Sequence, residues 1–370
     1  MKIKKIIAAA LAFLMLALVA CGEKTEVPGN EGNDAAAEII SLDVGLMGTS
    51  TKPVGVLVAN AKGYFAEEGV AVNFQKVSSM NDAYLATSTG DLDVYLFSST
   101  AAATFISQGT TSLRVFGGTA AEGSEIMAAA GSGITLRTAE DFVGLTIGCF
   151  MAETGQMVLK NYLVEQGFSI GAPGEGAEVS FVYYSDTSSG IEACKNGEYD
   201  LVLTNASLGY YAEQYGVDVV AELADFVPVY PCCRQTCNQN TYENEFDALV
   251  KFEIAALRGH AYAKANPEET LDILVEYSGE DREFLRAQIY GTESYDPAMR
   301  LSLDPDSDAC VAFYEAMMNL GEIEDTVDVD WRDYVVTDVY ESALSELMQR
   351  EQDNALWAEL MEYFAAHNTK

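Results

Sequence analysis

The chain has 370 residues, of which 57 are acidic and 21 basic, giving a formal net charge of −36 at pH 7. This balance argues against nucleic acid as a partner, because neutralising phosphates requires basic surface. The length exceeds what one small hydrophobic core supports and favours two lobes.

The first residues are typical of an export signal. Three lysines among the first five residues precede an apolar run over residues 6–20, and Cys21 follows directly. The run is too short for an ordinary membrane span. The order of leucine, small residue and cysteine at Leu18 to Cys21 resembles the lipobox of bacterial lipoproteins. It predicts a signal peptide over 1–20 and a lipidated Cys21, with a plain signal peptide as the alternative.

Residues 21–38 are polar and rich in Gly, Asn, Glu and Ala. Such a segment cannot bury enough apolar surface to order itself, so we expect a flexible tether. The folded body is predicted to begin at residue 39 and to be held at a membrane surface through the lipid. We expect a monomer.

Two similar α/β lobes are predicted next. Short β-like runs alternate with amphipathic stretches, which favours βαβ units. The segment that starts at Gly90 is echoed by the one that starts at Gly197: each has a glycine, an acid, a buried strand and a small polar cluster. Chance similarity between generic βαβ units is the alternative. We predict lobe 1 over 39–128, lobe 2 over 129–230, a hinge crossing over 231–239, and a return to lobe 1 over 240–370.

The predicted crossing carries three cysteines in six residues, Cys232, Cys233 and Cys237. In an extended segment Cys233 and Cys237 lie ~13 Å apart, beyond disulfide reach, and Cys232 points to the opposite face from Cys233. We expect a hinge strand that lines a cleft. Disulfides remain an open alternative for Cys149, Cys194, Cys232, Cys233, Cys237 and Cys310.

The C-terminal part is predicted to be mostly helical. Apolar residues recur at helical spacing from Phe246 to Leu257 and again from Val339 onward. Such one-sided helices must cover something, and the sheet of lobe 1 is the nearest candidate. A final helix is expected over Leu347–His367, with no role assigned to it.

Candidate ligand contacts lie where predicted strands meet helices. In open α/β sheets, ligands collect at the carboxyl ends of strands, where helix N-termini offer free N–H groups. Ordinary helix capping is the alternative at each corner, above all at Asp186. The candidates at these corners are Thr49, Ser50, Thr51, Ser98, Ser99, Thr100, Glu153, Thr154, Gly155, Gln156, Asp186, Asn205 and Ser207. Tyr230, Cys232 and Arg234, on or beside the predicted hinge strand, are further candidates.

Several ordered segments resemble the substrate-binding proteins of ABC importers, in the group that includes the sulfonate, nitrate and taurine binders and the THI5-like (NMT1) pyrimidine-precursor binders. They are residues 61–74 (AKGYFAEEGVAVNF), 90–94 (GDLDV), 266–279 (NPEETLDILVEYSG), 313–325 (FYEAMMNLGEIED) and 339–344 (VYESAL). The resemblance implies a periplasmic-binding-protein-like type II fold of the α/β class. It has two lobes with central mixed sheets, two hinge crossings, a C-terminal helical segment and a ligand between the lobes.

The function implied is that of a lipid-anchored receptor on the extracytoplasmic face of the cell membrane. It would deliver a small polar organic solute to an ABC permease and its ATPase, without chemistry on the ligand and without a cofactor. Lys52 and Arg234 could serve an anion, whereas Tyr183, Tyr184 and Tyr230 could stack on a ring. The alternatives are a sensor module and a THI5-like synthase. Iron-dependent histidine chemistry in that class is poorly matched by His260 and His367, so no metal is expected.

Overall fold

The computed structural model describes residues 40–151, 153–205, 207–324 and 326–369. The predicted signal peptide, the tether and Cys21 lie outside these residues. The strands of the described part are β1 (Ile40–Met47), β2 (Val70–Val77), β3 (Val94–Ser98), β4 (Leu113–Glu122), β5 (Ser124–Ala129), β6 (Thr146–Phe150), β7 (Ile170–Gly171), β8 (Val179–Tyr184), β9 (Leu201–Asn205), β10 (Val217–Glu222), β11 (Pro231–Asn238) and β12 (Met299–Leu301).

The α-helices of the same residues are α1 (Val54–Lys62), α2 (Tyr64–Glu67), α3 (Met80–Thr89), α4 (Ser99–Ser107), α5 (Thr154–Glu165), α6 (Thr187–Lys195), α7 (Ala212–Tyr215), α8 (Gln239–Asn244), α9 (Phe246–Ala265), α10 (Pro267–Ser278), α11 (Arg282–Tyr290), α12 (Ser307–Asn319), α13 (Asp338–Arg350) and α14 (Ala355–His367). Short 3₁₀ turns cover Ala139–Phe142, Leu208–Tyr211, Leu223–Asp225 and Trp331–Asp333. No helix among the described residues has both the length and the apolar character that crossing a membrane requires.

The strands form two six-stranded mixed sheets that share a five-strand plan, with the sixth strand, β12 or β7, added at opposite ends. The first sheet has the order β12-β4-β11-β3-β1-β2, and the second has the order β10-β5-β9-β6-β8-β7. In the first, β1 runs parallel to β2 and β3, while β11 is antiparallel to β3 and β4. In the second, β6 runs parallel to β8 and β9, while β5 is antiparallel to β9 and β10. The predicted α/β class with two mixed sheets is confirmed.

The two sheets are also built alike at the echoed segments. Gly90 and Gly197 both have positive φ, at 85° and 76°, a conformation that glycine adopts without steric cost. Three residues later, the Asp93 carboxylate accepts a hydrogen bond from the backbone N–H of Asp43, and the Asp200 carboxylate accepts one from Thr146, each at 2.8 Å. Asp93, just before β3, is thereby joined to the parallel strand β1, and Asp200, just before β9, is joined to the parallel strand β6.

The chain passes between the sheets at different places from those the sequence suggests. Because β5 already belongs to the second sheet, the first passage falls at Gly123 and not at residue 128. The return falls between Glu222 and Pro231, and β11 is a central strand of the first sheet rather than a crossing. The two passages lie side by side, since the backbone N–H of Glu122 donates to the carbonyl of Tyr230 at 3.1 Å. As domain boundaries, the predicted ranges stay predictions.

The C-terminal helices cover the first sheet. Helix α9 packs against α1 so closely that a Cβ on Gly259 would lie 2.0 Å from the carbonyl oxygen of Gly55. Leu249, Ile254 and Leu257 of α9 are fully buried in this core. The expected final helix is two helices, because the Asn354 side chain accepts from the N–H of Leu356 and caps a separate α14. Trp357 and Phe364 of α14 are buried in the core of the first sheet.

Candidate functional site

The carboxyl ends of strands from both sheets meet at one cavity of about 160 Å³. Strand β3 ends at Ser98 and leads into α4, β6 ends at Phe150 shortly before α5, and β9 ends at Asn205. Parallel strands bring such ends to one edge of a sheet, which explains why these residues gather. The lining residues, called the cleft cavity below, are Lys52, Met80, Phe97, Ser98, Glu122, Ser124, Phe150, Glu153, Thr154, Gly155, Asn205, Cys232 and Cys233.

Contacts between segments that pack on the two sheets hold the walls of the cleft cavity together. The hydroxyl oxygens of Thr100 in α4 and Thr154 in α5 lie 3.0 Å apart, so the N-termini of these helices face each other. Further along α5, the Lys160 ammonium forms an ion pair with Glu322 at 2.8 Å. The Tyr295 hydroxyl donates to the buried Glu125 of β5 at 2.6 Å. These contacts join residues that are remote in the sequence.

Lys52 carries the positive charge of the cleft cavity. It follows β1 and places its ammonium 3.4 Å from the Cys232 sulfur and 5.9 Å from the centre of the Phe97 ring. Burial acts to lower the pKa of Lys52, but the charge and hydrogen bond of Cys232 oppose it, and the pKa lies above its usual value. The ammonium therefore stays protonated.

Glu153 supplies a carboxyl group from the opposite wall. Burial raises its pKa to about 7, although the amide of Asn205 donates to it and the charge of Lys52 also opposes the rise. Its Oε2 atom has no hydrogen-bond partner among the described residues. Gln156, one turn further into α5, is fully buried, and within the same part of the chain neither polar atom of its amide is hydrogen bonded. Buried polar groups normally have partners, so this wall has unused hydrogen-bonding capacity.

Six of the predicted site residues line the cleft cavity, namely Ser98, Glu153, Thr154, Gly155, Asn205 and Cys232. Thr100 lies directly behind it through its contact with Thr154. Ser99 is buried beside Tyr314, with 2.7 Å between the hydroxyl oxygens. Gln156 and Ser207 are buried but are not part of the lining. Whether the six residues bind a ligand stays a prediction.

The other predicted site residues have structural partners elsewhere. Thr49 is exposed in the turn after β1, and the Ser50 hydroxyl accepts from the N–H of Lys52. Thr51 donates to Gln288 of α11 at 3.0 Å. Asp186 caps α6 by accepting from the N–H of Ser189 at 2.9 Å, as the capping alternative predicts.

Tyr230 and Arg234 do not line the cleft cavity, contrary to our expectation. The Tyr230 hydroxyl accepts from the N–H of Ser124 at 2.9 Å and thereby joins the two passages between the sheets. Arg234 is 0% exposed and forms an ion pair with Asp306 at 3.1 Å. Its guanidinium points into the core, because residues 231–238 form a central strand of the sheet. Other elements cover both faces of this strand, so its side chains are buried on either side.

Sequence reasoning left some lining residues out. Lys52, a possible partner for an anion, and Cys233, on the strand expected to line the cleft, are not among the predicted contacts, and neither are Met80, Phe97, Glu122, Ser124 and Phe150. Phe97 and Phe150 stand at or next to the last residue of their strands, so the rule that selected Ser98 could have found them. Of the ring candidates, Tyr184 is buried with its hydroxyl on the carbonyl of Leu203, and Tyr183 accepts from Lys160.

A larger cavity of about 660 Å³ lies beside α9, α11 and α14. Aliphatic and tyrosine side chains form most of its lining, which also includes Glu122, His260, Lys264, Arg300, Ser302, Asp304 and Glu359. Burial lowers the pKa of His260 to about 4, so this histidine is neutral at pH 7. We favour the smaller cavity as the candidate site, because there the strand ends of both sheets and several helix N-termini converge.

The cysteines and histidines of the described residues are spread over different parts of the fold. Among the described residues, no group of three or more His, Cys, Asp or Glu side chains is arranged to hold a metal ion. His260 lines the larger cavity, and His367 contacts the carbonyl of Tyr363. The six cysteines of the described residues are all free thiols. An iron centre that uses histidine therefore does not fit the cleft cavity.

Comparison with known structures defines the class of the fold. The aliphatic sulphonate binding protein SsuA of Escherichia coli superposes with a TM-score of 0.61 at 13% identity, covering 82% of this chain and 99% of that one. The nitrate-binding protein NrtA of Synechocystis gives 0.62 at 14% identity, with coverages of 84% and 89%. The desulfurization enzyme DSZB gives 0.56 at 14% identity, with coverages of 83% and 99%. The chain thus has the fold of the periplasmic binding proteins, which an enzyme also shares.

The family follows from the sequence. The NMT1/THI5-like family profile matches residues 50–270, which is more than half of the chain. The chain therefore belongs to the NMT1/THI5-like family, as the resemblance predicts. No curated protein matches the sequence.

Proposed function

We propose that the protein is a lipid-anchored solute receptor on the extracytoplasmic face of the membrane, and that it delivers a small polar organic solute to an ABC permease and its ATPase. The observation that carries this proposal is the cleft cavity, which both sheets line with strand ends and helix N-termini. The sulphonate and nitrate binders that share the fold lend support by analogy.

The lining favours a small solute with both polar and planar or apolar parts. A volume of about 160 Å³ is roughly that of five waters in the liquid. The Lys52 ammonium attracts an anionic or strongly polar group, and the free Oε2 atom of Glu153 can accept a hydrogen bond or, when protonated, donate one. Phe97 and Phe150 offer ring faces, and Phe150 is 44% exposed. A sulfonate-like, nitrate-like or pyrimidine-precursor-like solute fits this set.

Binding would favour a closed arrangement of the two sheets. A solute that touches Lys52 on one wall and Glu153 on the other satisfies both only when the walls are close, so it shifts the population toward closure. The contacts Thr100–Thr154, Lys160–Glu322 and Glu125–Tyr295 already join the walls in this structure, and they would stabilise the same closed arrangement. The permease would then recognise the closed form.

We propose further that the receptor does no chemistry on its solute. The NMT1/THI5-like family includes a synthase, and one protein of the same fold is an enzyme. These two facts favour the alternative that this protein is a pyrimidine-precursor synthase. The mismatch between the cleft cavity and a histidine-bound iron argues for the receptor. Measuring the iron content of the purified protein, together with the release of a pyrimidine-precursor product, separates the two functions.

Native mass spectrometry of the purified chain, which detects a bound small molecule, is the first test of the proposed receptor function. The second is the change in melting temperature that each solute of a panel produces. The panel contains taurine, alkanesulfonates, nitrate and substituted pyrimidines. At a concentration of 100 times Kd a true ligand adds ~2.7 kcal/mol to the free energy of unfolding. We expect Lys52→Met to abolish the shift. The control Lys195→Met should retain it, because Lys195 pairs with Glu192 at the surface. A protein with no bound molecule and no response to the panel would contradict the proposal.

A further inference from the structure

Adjacent cysteines at the start of β11 bring their sulfur atoms together inside the cleft cavity. In a regular strand, neighbouring side chains point to opposite faces, which is why the sequence predicts Cys232 and Cys233 on opposite sides. The pairing of β11 with β4 instead shifts register between Pro231 and Cys233 and again between Cys233 and Arg234. At this irregularity the two sulfurs lie 3.6 Å apart, and both residues line the cavity.

The charges around the pair make the two thiols unequal. Lys52 places its ammonium 3.4 Å from Cys232, and the buried guanidinium of Arg234 adds positive charge from the same strand. Glu153, from the second sheet, and Glu122 are the acidic groups of the cavity lining. A hydrogen bond from Cys233 lowers the pKa of Cys232 and, with the charge of Lys52, outweighs burial. The pKa of Cys233 is raised, first by that hydrogen bond and then by burial.

Among the other cysteines of the described residues, Cys310 also has a cation beside it, since Arg234 donates to its sulfur at 3.3 Å, but burial still raises the pKa of Cys310. Cys149, Cys194, Cys237 and Cys310 are buried. Burial raises the pKa of Cys194 to about 11 and that of Cys149 to about 12. Thiolates are the reactive form of cysteine, so these side chains should be inert and can act as internal controls.

We propose that Cys232 and Cys233 form a thiol–disulfide exchange site that reacts with low-molecular-weight disulfides, with Cys232 as the attacking thiolate, Cys233 as the resolving thiol and Lys52 as the positioning residue. The Cys232 thiolate attacks one sulfur of a disulfide RSSR, forms the mixed disulfide Cys232–S–S–R and expels RS⁻. Cys233 then loses its proton to water and attacks the Cys232 sulfur, which closes the Cys232–Cys233 disulfide and expels the second RS⁻. Starting from the Cys232 thiolate, the protein loses two electrons and the one proton of Cys233. RSSR gains the two electrons and becomes two RS⁻, which take up that proton and one more from the solvent to give two thiols.

Oxidation also changes the charge that a solute meets. In the reduced protein the Cys232 thiolate partly neutralises Lys52, whereas the disulfide leaves the ammonium without that partner. The oxidised cleft cavity should therefore hold an anion more tightly. This consequence rests on the proposed receptor function, but the thiol chemistry does not.

The test uses the full chain in detergent, glutathione disulfide as the probe, and peptide mapping by mass spectrometry after acid quenching. We expect loss of two hydrogens from the peptide that contains Cys232 and Cys233, with the four buried cysteines unmodified. In Cys233→Ser the mixed disulfide should accumulate on Cys232. Preferential reaction of a buried cysteine, or no linkage between Cys232 and Cys233, would overturn the proposal.

The role of Lys52 is tested by the pH profile of Cys232 alkylation with iodoacetamide. We expect a midpoint below pH 7 in the unmodified chain and in Lys195→Met, and a rise of at least about one pH unit in Lys52→Met. A midpoint near that of an ordinary cysteine, ~8.5, in the unmodified chain would overturn the proposal. These readouts need no solute, so their failure is distinct from failure of the receptor function.

Discussion

Replacing Arg234 by methionine tests whether this residue holds the core of the first sheet or serves the ligand. Its guanidinium is completely buried and donates to Asp306, to the carbonyls of Ala120 and Cys233, and to the Cys310 sulfur, at 3.1 to 3.3 Å. Methionine keeps much of the aliphatic volume but removes every one of these donors. The carboxylate of Asp306 then loses its main compensating charge.

The expected cost follows from the burial of the pair. Removing one partner of a buried ion pair typically costs ~3–5 kcal/mol, since the other charge is left uncompensated. Asp306 keeps the Tyr363 hydroxyl at 2.7 Å and Arg300 at 3.8 Å, so we expect the lower part of this range. With a urea m-value of about 3 kcal/mol/M, the unfolding midpoint should fall by about 1 M.

Tryptophan fluorescence during urea unfolding is a suitable assay, because Trp331 and Trp357 are both buried. The matched control is Arg332→Met, since Arg332 pairs with Asp308 at 3.2 Å on a half-exposed surface. That exposed pair should be worth ~1 kcal/mol or less. Equal, small losses of stability in both variants would contradict a structural role for Arg234. A folded Arg234→Met protein of unchanged stability that loses the solute-induced thermal shift would instead make Arg234 a ligand contact.

Three further predictions test other parts of the structure. Burial raises the pKa of Glu253 to about 8, so this carboxyl group keeps its proton in the folded protein between pH ~4.3 and 8, where the unfolded chain releases it. The free energy of unfolding should therefore fall as the pH rises toward 8. Glu253→Gln should flatten this slope in urea titrations at pH 5 to 8, and an unchanged slope would refute the prediction. Tyr295→Phe removes the donor to the buried Glu125 and should cost ~1–3 kcal/mol in the urea assay, whereas no loss would show that the contact is dispensable. Cys21→Ser should move the protein from the membrane fraction to the soluble fraction and abolish palmitate labelling, and retention in the membrane would contradict the lipid anchor.

The sequence predicts the class of fold and one edge of the site for a definite physical reason. Strand ends and helix starts are local features, so Ser98, Thr154 and Asn205 could be placed at a common edge once the strands were taken as parallel. The sequence also predicts that α9 covers the first sheet, because the apolar side chains along one face of this helix must be buried.

The remaining features depend on partners that are distant in the chain. Thr51 meets Gln288, and Arg234 meets Asp306, and neither pairing leaves a local signature. The register shift that joins Cys232 to Cys233 depends on how β11 pairs with β4. The position of the first passage, at Gly123, likewise depends on the pairing of β5 with β9 and β10.

The most direct test of the account is a crystal structure with the solute that raises the melting temperature most. We predict density for that solute in the cleft cavity, with a polar group within 3.5 Å of the Lys52 ammonium and contacts to Glu153 or Asn205 on the opposite wall. Density in the larger cavity beside His260 and Arg300, with the cleft cavity holding only water, would contradict the account.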